Sequence, residues 1–317
     1  MSMKLDIQKY IPLAPFTTWK IGGPAKYFLV AKTSEDVKEG IAWARENKLP
    51  FFIFGGGSNI LISDSGFDGL VIKIEINRLE TKGDEIIAGA GTAMGRTATF
   101  AMQNNLAGLE WAIGLPGTVG GAIFGNSNCF GGSTGKSLKS ALLLDKDGAI
   151  REVKNDYFEF SYDFSKIQKT DEILLEARFA LRNVTPEEMQ SIREKISATA
   201  AERYARQPIG KKCAGSVFKA LHLTDENVQK IKNTFPDLEL GLRDNLISAG
   251  FIIDKCLKLK GFTMEKMQIS ELHANFFINT GCATAQNTKK LIDFVKKECK
   301  NKLGIKLEEE IKYVGKF

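Results

Sequence analysis

Apolar and polar positions in the first half of the chain follow a repeated strand-then-helix pattern. Residues 31–50, AKTSEDVKEGIAWARENKLP, have helical spacing, with Thr33 or Ser34 as cap, acidic residues in the first turn and Pro50 at the end. The apolar runs LPFFIF, ILIS and GLVIKI that follow predict strands, and EIIAGAGTAMGRTATFAMQNNL predicts another strand and helix. With the strand runs ALLLD, AIREV and ILLEARFAL, the pattern predicts a mixed α and β structure to about residue 180.

A long charged helix is predicted after this part. TPEEMQSIREKISATAAERYARQP has Thr185 as cap, Pro186 at the first helical position and Pro208 beyond its end. Such a helix is typical of a connector between domains.

The pattern beyond the connector is again mixed. GSVFKA predicts a strand, and helices are expected near 224–233 and 244–257. NTKKLIDFVKKECK predicts a helix with Leu291, Ile292 and Val295 in one stripe, and KLGIKLEEEIKYV predicts a closing strand. In that strand Glu308 and Glu310 share the charged face, whereas Glu309 falls on the apolar one.

Composition argues against several classes of function. The net charge of +6, spread along the chain, is too small to indicate nucleic acid and suits a small anionic ligand or an ordinary basic surface. Five cysteines form no CxxC pair, and two histidines give no metal-site spacing. No signal-peptide core or apolar run near 18 residues is present. We therefore expect a cytoplasmic protein with no metal, no membrane partner and no obligate protein partner.

Two glycine-rich stretches carry the candidate chemistry. FFIFGGGSNILIS, residues 51–63, places three glycines between apolar runs; it is not GxGxxG and lacks a P-loop lysine. Its N–H groups can form a nest for a phosphate, with Ser58 and Asn59 as side-chain donors, or it can be a tight turn. Residues 114–135, GLPGTVGGAIFGNSNCFGGSTG, hold eight glycines, where 30 in 317 residues would give about two. Long glycine-rich loops inside compact domains are usually functional, and two of them favour an extended ligand such as a dinucleotide.

Several motifs of the sequence resemble those of one known family. TTWKIGGPA, GGGSN with SGFDGLVI, GLEWAIGLPGTVGGA, AGSVFKA, and LKGF followed by SELHANFFINTGCATA are similar to UDP-N-acetylenolpyruvoylglucosamine reductase, in that family's order over nearly the whole chain. The resemblance implies an α+β fold: an FAD-binding domain of the vanillyl-alcohol-oxidase (PCMH) type over 1–184, split into subdomains near 75–80. A connecting helix over 185–207 and a smaller α+β substrate-binding domain over 208–317 would follow.

The resemblance also implies an activity. NADPH would reduce bound FAD and leave; the enolpyruvyl ether of the UDP-sugar would then accept hydride from flavin N5 and a proton on the adjacent carbon, in peptidoglycan precursor synthesis. The family pattern assigns FAD to two sets of residues: Gly55, Gly56, Gly57, Ser58 and Asn59 at the pyrophosphate, and Pro116, Gly117, Thr118, Gly120, Gly121 and Ala122 along the flavin.

Catalytic and substrate-binding residues follow from the same resemblance. Ser216 matches the proton donor and Glu310 the active-site glutamate. Tyr162, Arg206 and Lys260 match substrate-binding positions. From spacing alone, a hydroxyl at a strand edge is the favoured interpretation of Ser216, and the charged face that carries Glu310 is also typical of a solvated one.

The sequence departs from the family at the third catalytic position. The family has arginine in a Tyr-Arg-x-Ser word, whereas this chain has Asp163 in YDFS, which would oppose enolate formation. Strand alternation would turn Lys166 away, and Arg203 and Lys212 are the other candidate cations. Ala220 replaces a usual asparagine, and NSNCFGG replaces the commoner NAGAYGG.

Three hypotheses follow. The first is the NADPH-dependent, FAD-containing reductase. The second is a diverged flavoprotein of the same fold with weak or no reductase activity, such as an oxidase-like enzyme or a flavin or nucleotide binder. The third, a structural α/β protein, requires both glycine-rich stretches to be incidental.

Overall fold

The computed structural model describes residues 5–240 and 246–317; the side chains of residues 198, 199, 202 and 203 lie outside that description. The chain forms two compact units, neither of them continuous in sequence. The first unit comprises Met1–Ile11, Ala25–Gly56 and Asp68–Glu202, and the second comprises Pro12–Pro24, Gly57–Phe67 and Arg203–Phe317. Two short segments from the first quarter of the chain therefore belong to the same unit as its C-terminal third.

The first unit contains two sheets. One has the strand order Gln8–Pro12, Pro24–Ala31, Phe67–Ile74, Phe51–Phe54, and its last two strands are parallel. The other is antiparallel throughout, in the order Ile150–Lys154, Leu138–Leu144, Ile173–Ala180, Glu85–Gly89, Leu79–Lys82. Two short antiparallel pairs complete it: Leu106–Ala107 with Arg182–Asn183, and Asn128–Cys129 with Gly132–Ser133. The strands predicted from LPFFIF, GLVIKI, ALLLD, AIREV and ILLEARFAL are all present.

Helices of the first unit begin where the sequence provides caps. Ser34–Glu46 has Thr33 as its cap: the Thr33 hydroxyl accepts the Asp36 N–H at 3.1 Å, and the Asp36 carboxylate accepts the Thr33 N–H at 2.9 Å. Thr185 accepts the Glu188 N–H in the same way at the start of the long helix. The remaining helical segments are Met94–Gln103, Glu110–Ala112, Val119–Phe124, Thr134–Ser137, Asn155–Phe158, Lys166–Gln168 and Pro186–Arg206.

The second unit is built around the helix Ala285–Leu303. Thr284 and Asn287 form a capping box at its start, and the Asp64 carboxylate accepts the N–H groups of Ala285 and Gln286 at 2.7 and 2.9 Å. The predicted stripe of Leu291, Ile292 and Val295 is fully buried. Its other helices are Ala14–Phe16, Asp225–Thr234, Ala249–Phe251 and the π-helical Ile252–Cys256. Its strands are Thr263–Met264, Met267–Ile269 and Phe277–Asn279 in one antiparallel sheet, Leu221–His222 with Leu246–Ile247, and Lys312–Val314 parallel to Ile60–Ile62.

Three predicted elements differ from the structure. GSVFKA forms two isolated bridges, Ser216 with Phe276 and Phe218 with Glu309, instead of a regular strand. In the closing segment only Lys312–Val314 is a strand. The helix expected over 244–257 is shorter: its first two residues lie outside the described chain, Leu246–Ile247 is a strand, and helical turns run from Ala249 to Cys256.

Each unit has its own apolar core. The first core lies between the sheets and the helices Ser34–Glu46 and Met94–Gln103. The second surrounds Ala285–Leu303 and includes Trp19, whose indole N–H donates to the Phe277 carbonyl at 2.7 Å. In the part of the chain that the structure describes, no helix is long and apolar enough to cross a membrane. No group of three His, Cys, Asp or Glu side chains suited to a metal ion occurs within the same residues.

Candidate functional site

The two glycine-rich stretches meet inside the first unit. A Cβ on Gly55 would lie 2.2 Å from the Thr118 hydroxyl oxygen, and one on Gly56 would lie 2.8 Å from the Gly117 Cα. Gly117 has φ +97°, a conformation that favours glycine. A side chain at Gly55 would force the Thr118 side chain to move, and one at Gly56 would push the two backbones apart. The glycines are therefore required for the contact, independently of any ligand.

The stretches differ in the N–H groups that they can offer to a ligand. Among the described residues, no backbone N–H of the segment 55–59 donates to a protein acceptor, and the same holds for Gly117 and Thr118. The next four N–H groups, of residues 119–122, donate within the protein to Thr92, Ala90 and Thr118. The N–H groups of residues 119–122 in the second stretch are therefore engaged within the protein. Beyond Thr118 this stretch can offer shape but no hydrogen bonds from these groups.

The last three residues of GGGSN, which include Gly57 and Asn59, lie in the second unit. Gly57 has φ +61°, and a Cβ on it would lie 2.3 Å from the Phe16 carbonyl oxygen, which explains its glycine. The Asn59 amide donates to the Glu310 carbonyl at 3.2 Å, and the Asn59 carbonyl accepts the Lys312 N–H at 3.0 Å. The Asn59 side chain, expected to serve an anion, thus also holds the backbone around Glu310.

These observations fit a pyrophosphate-containing cofactor. Consecutive N–H groups without protein acceptors, beside glycines at which any Cβ would clash, form the kind of backbone surface that binds phosphate oxygens. Ser58, partly exposed, adds a hydroxyl. The donors are neutral, so the N–H groups rather than a lysine would have to balance the negative charge of the phosphates. FAD contains such a pyrophosphate, and these residues therefore fit it.

The YDFS word forms a tight turn in the first unit instead of a strand. Ser161 and Phe164 exchange backbone hydrogen bonds of 3.1 and 3.2 Å, and Asp163 between them has φ +50°. The Ser165 hydroxyl donates to the Phe124 carbonyl at 2.7 Å, which fixes the turn to the end of the helix Val119–Phe124. Asp163 is 8% exposed and Tyr162 is 47% exposed. The turn is therefore anchored to the second glycine-rich stretch.

Three cations were candidates to replace the missing arginine: Lys166, Arg203 and Lys212. Lys166 forms an ion pair with Glu159 at 2.7 Å, and its ammonium group lies 4.9 Å from the Tyr157 ring centroid. These two contacts, and not strand alternation, hold its side chain. The Arg203 side chain lies outside the described residues. Lys212 is exposed in the second unit, where its carbonyl accepts the Asn279 N–H at 2.9 Å.

Ser216 and Glu310 come together in the second unit. The Glu310 N–H donates to the carbonyl of Val217, the residue after Ser216, at 2.8 Å, and the Lys219 N–H donates to the Glu308 carbonyl at 2.9 Å. Both Ser216 and Glu310 are partly buried. Two segments 94 positions apart in sequence therefore place the candidate proton donor and the candidate carboxylate on adjacent backbones.

The alternation predicted for IKLEEEIKY is present in the burial of its side chains. Ile305, Leu307 and Ile311 are buried, and Glu309 on the same face forms an ion pair with Lys296 at 2.7 Å. Burial raises the pKa of Tyr313, and the negative charge of Glu309 raises it further. Glu309 therefore has a structural partner in Lys296.

The two cations that match substrate-binding positions of the family, Arg206 and Lys260, are both exposed in the second unit. Lys260 lies 3.7 Å from the Asp254 carboxylate, and Arg206 is the last residue of its helix. Burial lowers the pKa of the neighbouring His273, and the positive charge of Lys260 lowers it further. The His273 Nδ1 accepts the N–H of Asn275 at 3.3 Å, an arrangement that favours the neutral ring with its proton on Nε2.

Comparisons with known proteins identify the family of the chain. A family model described as UDP-N-acetylenolpyruvoylglucosamine reductase, C-terminal domain, matches residues 207–314, and a model described as FAD binding domain matches residues 25–154. The chain is 36% identical over 312 residues to the UDP-N-acetylenolpyruvoylglucosamine reductase of Lactobacillus delbrueckii subsp. bulgaricus, covering 98% of this chain and 96% of that protein. It is 36% identical over 305 residues to the enzyme of that name from Halalkalibacterium halodurans, covering 96% and 92%.

A solved structure is similar over the full length. The crystal structure of UDP-N-acetylenolpyruvylglucosamine reductase from Thermus caldophilus has 27% sequence identity and a TM-score of 0.76, and the match covers 99% of this chain and all of that one. The expected fold class, an FAD-binding domain followed by a smaller α+β domain, is confirmed.

Proposed function

Because the chain belongs to the UDP-N-acetylenolpyruvoylglucosamine reductase family and is an FAD-dependent oxidoreductase, we propose that it reduces UDP-N-acetylglucosamine enolpyruvate to UDP-N-acetylmuramate. NADPH is the electron donor in this proposal, and the product is a precursor of peptidoglycan. The substrate is a UDP-sugar, a small anionic molecule that agrees with the mild positive charge of the chain. The expected cytoplasmic location accompanies the proposal.

The proposal assigns FAD to the glycine-rich stretches. When bound, FAD supplies the redox chemistry, taking two electrons from NADPH and passing them to the enolpyruvyl double bond. The N–H groups of residues 55–59 would hold its pyrophosphate, with the Ser58 hydroxyl, and those of Gly117 and Thr118 would add two donors. The cofactor would make only van der Waals contacts with Pro116, Gly120, Gly121 and Ala122. The N–H groups of the last three already donate within the protein, and proline has none.

Ser216 and Glu310 would complete the reduction. Hydride addition to one carbon of the double bond requires a proton on the other, and the Ser216 hydroxyl would donate it. An unaided serine hydroxyl is a poor acid, so the reaction needs neighbouring polar groups. The observation that carries this assignment is the 2.8 Å hydrogen bond from the Glu310 N–H to the Val217 carbonyl, which fixes the two residues on adjacent backbones.

Tyr162, Arg206 and Lys260 would bind the substrate. Arg206 and Lys260 are exposed cations, suited to phosphate or carboxylate oxygens, and the half-exposed Tyr162 offers a hydroxyl and a ring face. Lys260 already has an anionic neighbour in Asp254 at 3.7 Å. A substrate phosphate would therefore compete with that carboxylate for the same ammonium group.

Asp163 favours a second candidate, a flavoprotein of this fold with weak or no reductase activity. Its carboxylate stands where the family has a catalytic arginine, in a turn fixed to the second glycine-rich stretch. A negative charge beside a developing enolate raises the barrier, and losing one stabilising contact alone typically costs about 3 kcal/mol.

A two-step absorbance experiment separates the candidates. The purified protein is examined for visible flavin absorbance, then titrated anaerobically with NADPH until the absorbance bleaches, and finally mixed with UDP-N-acetylglucosamine enolpyruvate. The reductase bleaches and then recovers. The diverged flavoprotein bleaches without recovery, and a colourless protein that takes up no added FAD contradicts both.

A further inference from the structure

The side chain of Asn275 is paired with the backbone of Phe218 in the way that a strand residue would be. Its Nδ2 donates to the Phe218 carbonyl at 2.8 Å, and its Oδ1 accepts the Phe218 N–H at 3.0 Å. Because a peptide N–H only donates and a carbonyl only accepts, these two bonds fix the orientation of the amide. The Asn275 carbonyl also accepts the Val217 N–H at 2.9 Å. Asn275 thus holds the two residues that follow Ser216.

The opposite edge of the same segment carries Glu310. The Val217 peptide donates its N–H to Asn275 and accepts the Glu310 N–H on its carbonyl side, so the segment lies between the two. The side-chain amide takes the place of a regular strand partner, which explains why GSVFKA shows bridges and not a continuous ladder. A displacement of Val217 would therefore move Ser216 and Glu310 together.

Burial makes this contact difficult to replace. Asn275 is 4% exposed and Phe218 is fully buried, with its ring packed edge-on against Phe277 at 6.0 Å between centroids. Water has little access to the Phe218 carbonyl, so losing the Asn275 donor leaves a buried acceptor without its partner. The backbone must then move to recover a hydrogen bond.

We propose that Asn275 is a positioning residue for the proton-transfer step. Its side chain sets the backbone path of residues 216–218 and thereby the location of the Ser216 hydroxyl and of Glu310, without itself contacting the substrate. The inference rests on the proposed function, because the step is the one assigned to those two residues. A displacement of about 1 Å in such a group can cost about a hundredfold in rate.

A matched pair of variants tests the proposal. Asn275→Asp keeps the size of the side chain and an oxygen for the Phe218 N–H, but its carboxylate has no donor for the Phe218 carbonyl. Asn279→Asp is the control: Asn279 is 5% exposed, and its Nδ2 donates to the Trp19 carbonyl at 2.9 Å and not to residues 216–218. Flavin reduction by NADPH and flavin reoxidation by the enolpyruvyl nucleotide are measured separately in both.

We expect reoxidation in Asn275→Asp to slow by at least about tenfold with flavin reduction unchanged, and reoxidation in Asn279→Asp to stay within about twofold of the wild type. Lowering the pH protonates the buried carboxyl, which then donates again, so the rate of Asn275→Asp relative to the wild type should rise. Asn275→Leu cannot recover in this way. Equal slowing in Asn275→Asp and Asn279→Asp, or wild-type reoxidation in Asn275→Asp, overturns the proposal.

Hydrogen exchange separates a failure of this inference from a failure of the proposed function. The amides of Val217, Phe218 and Glu310 should exchange faster in Asn275→Asp than in the wild type, whether or not the enzyme turns over. Unchanged exchange at these three amides refutes the role of Asn275. A wild-type enzyme that binds FAD but is never reoxidised by the nucleotide refutes the proposed function.

Discussion

Gly56 lies directly against Gly117: a Cβ added to Gly56 would stand 2.8 Å from the Gly117 Cα, closer than non-bonded carbon atoms approach. This contact joins Gly56 to Gly117, 61 positions further along the chain, in two stretches that the sequence predicts to serve one cofactor. The N–H groups of Gly117 and Thr118, free of protein acceptors among the described residues, lie at the same place. The geometry of the contact should therefore control cofactor affinity.

Gly56→Ala should weaken FAD binding by about tenfold or more. The added methyl group meets backbone, which cannot rotate away as a side chain can, so the two stretches must separate and their donors move. Flavin content of the purified variant and its affinity for added FAD are the measurements. Gly95→Ala is the control, because a Cβ there makes an ordinary 3.4 Å contact in the helix Met94–Gln103 and alanine favours the helix. Equal FAD affinity in Gly56→Ala and Gly95→Ala would contradict the cradle.

Ser216→Ala should abolish the second half of the reaction and leave the first intact. Removal of the hydroxyl eliminates the proton donor, and Ser216 is not among the residues to which the proposal assigns FAD. Anaerobic bleaching by NADPH should proceed at the wild-type rate, whereas reoxidation by the enolpyruvyl nucleotide should fall by at least about a hundredfold. If both steps slow equally, Ser216 is not the proton donor.

Asp163→Asn should accelerate reoxidation by about tenfold, because it removes a negative charge that opposes the enolate while keeping the shape of the side chain. Asparagine also tolerates the φ of +50° at this position, which costs a longer side chain about 1–2 kcal/mol. Asp163→Arg, compared with it, shows whether a restored cation adds more. Reoxidation that is unchanged or slower in both variants would show that another cation already fills the role.

His273 should make the protein less stable as the pH falls. Burial lowers the pKa of His273 in the folded state below its ordinary value of 6.5. Below about pH 6.5 the unfolded chain therefore binds a proton more readily than the folded chain does. The free energy of unfolding should therefore decrease as the pH falls below about 6.5. His273→Gln should flatten this dependence in chemical denaturation, whereas the exposed His222, the only other histidine, provides the control His222→Gln. Identical pH slopes in the two variants would exclude His273 as the cause.

Local features of the fold were predictable from the sequence. The capping pair Thr33 and Asp36 are three residues apart, and their reciprocal hydrogen bonds depend only on that spacing. The buried stripe of Ala285–Leu303 follows from helical periodicity in the same way. Such elements formed as expected because neighbouring residues determine them.

Features that depend on distant partners were not predictable. Asn275 reaches Phe218 across 57 positions, and nothing in ELHANFF distinguishes a buried clamp from an exposed polar residue. The N–H groups of Val119 and Gly120 donate to the carbonyls of Thr92 and Ala90 in a separate segment, which the glycine content of the second stretch does not reveal. YDFS reads as a strand by alternation, yet its turn is fixed by Phe124, 41 positions away from Ser165.

Anaerobic reoxidation of the wild-type flavoprotein tests the central claim most directly. The protein is first reduced to full bleaching with one equivalent of NADPH and then mixed with UDP-N-acetylglucosamine enolpyruvate in the absence of oxygen. We predict recovery of the oxidised flavin spectrum with formation of UDP-N-acetylmuramate in equal amount. A flavin that stays reduced, while the nucleotide is recovered unchanged, would contradict the proposed reductase.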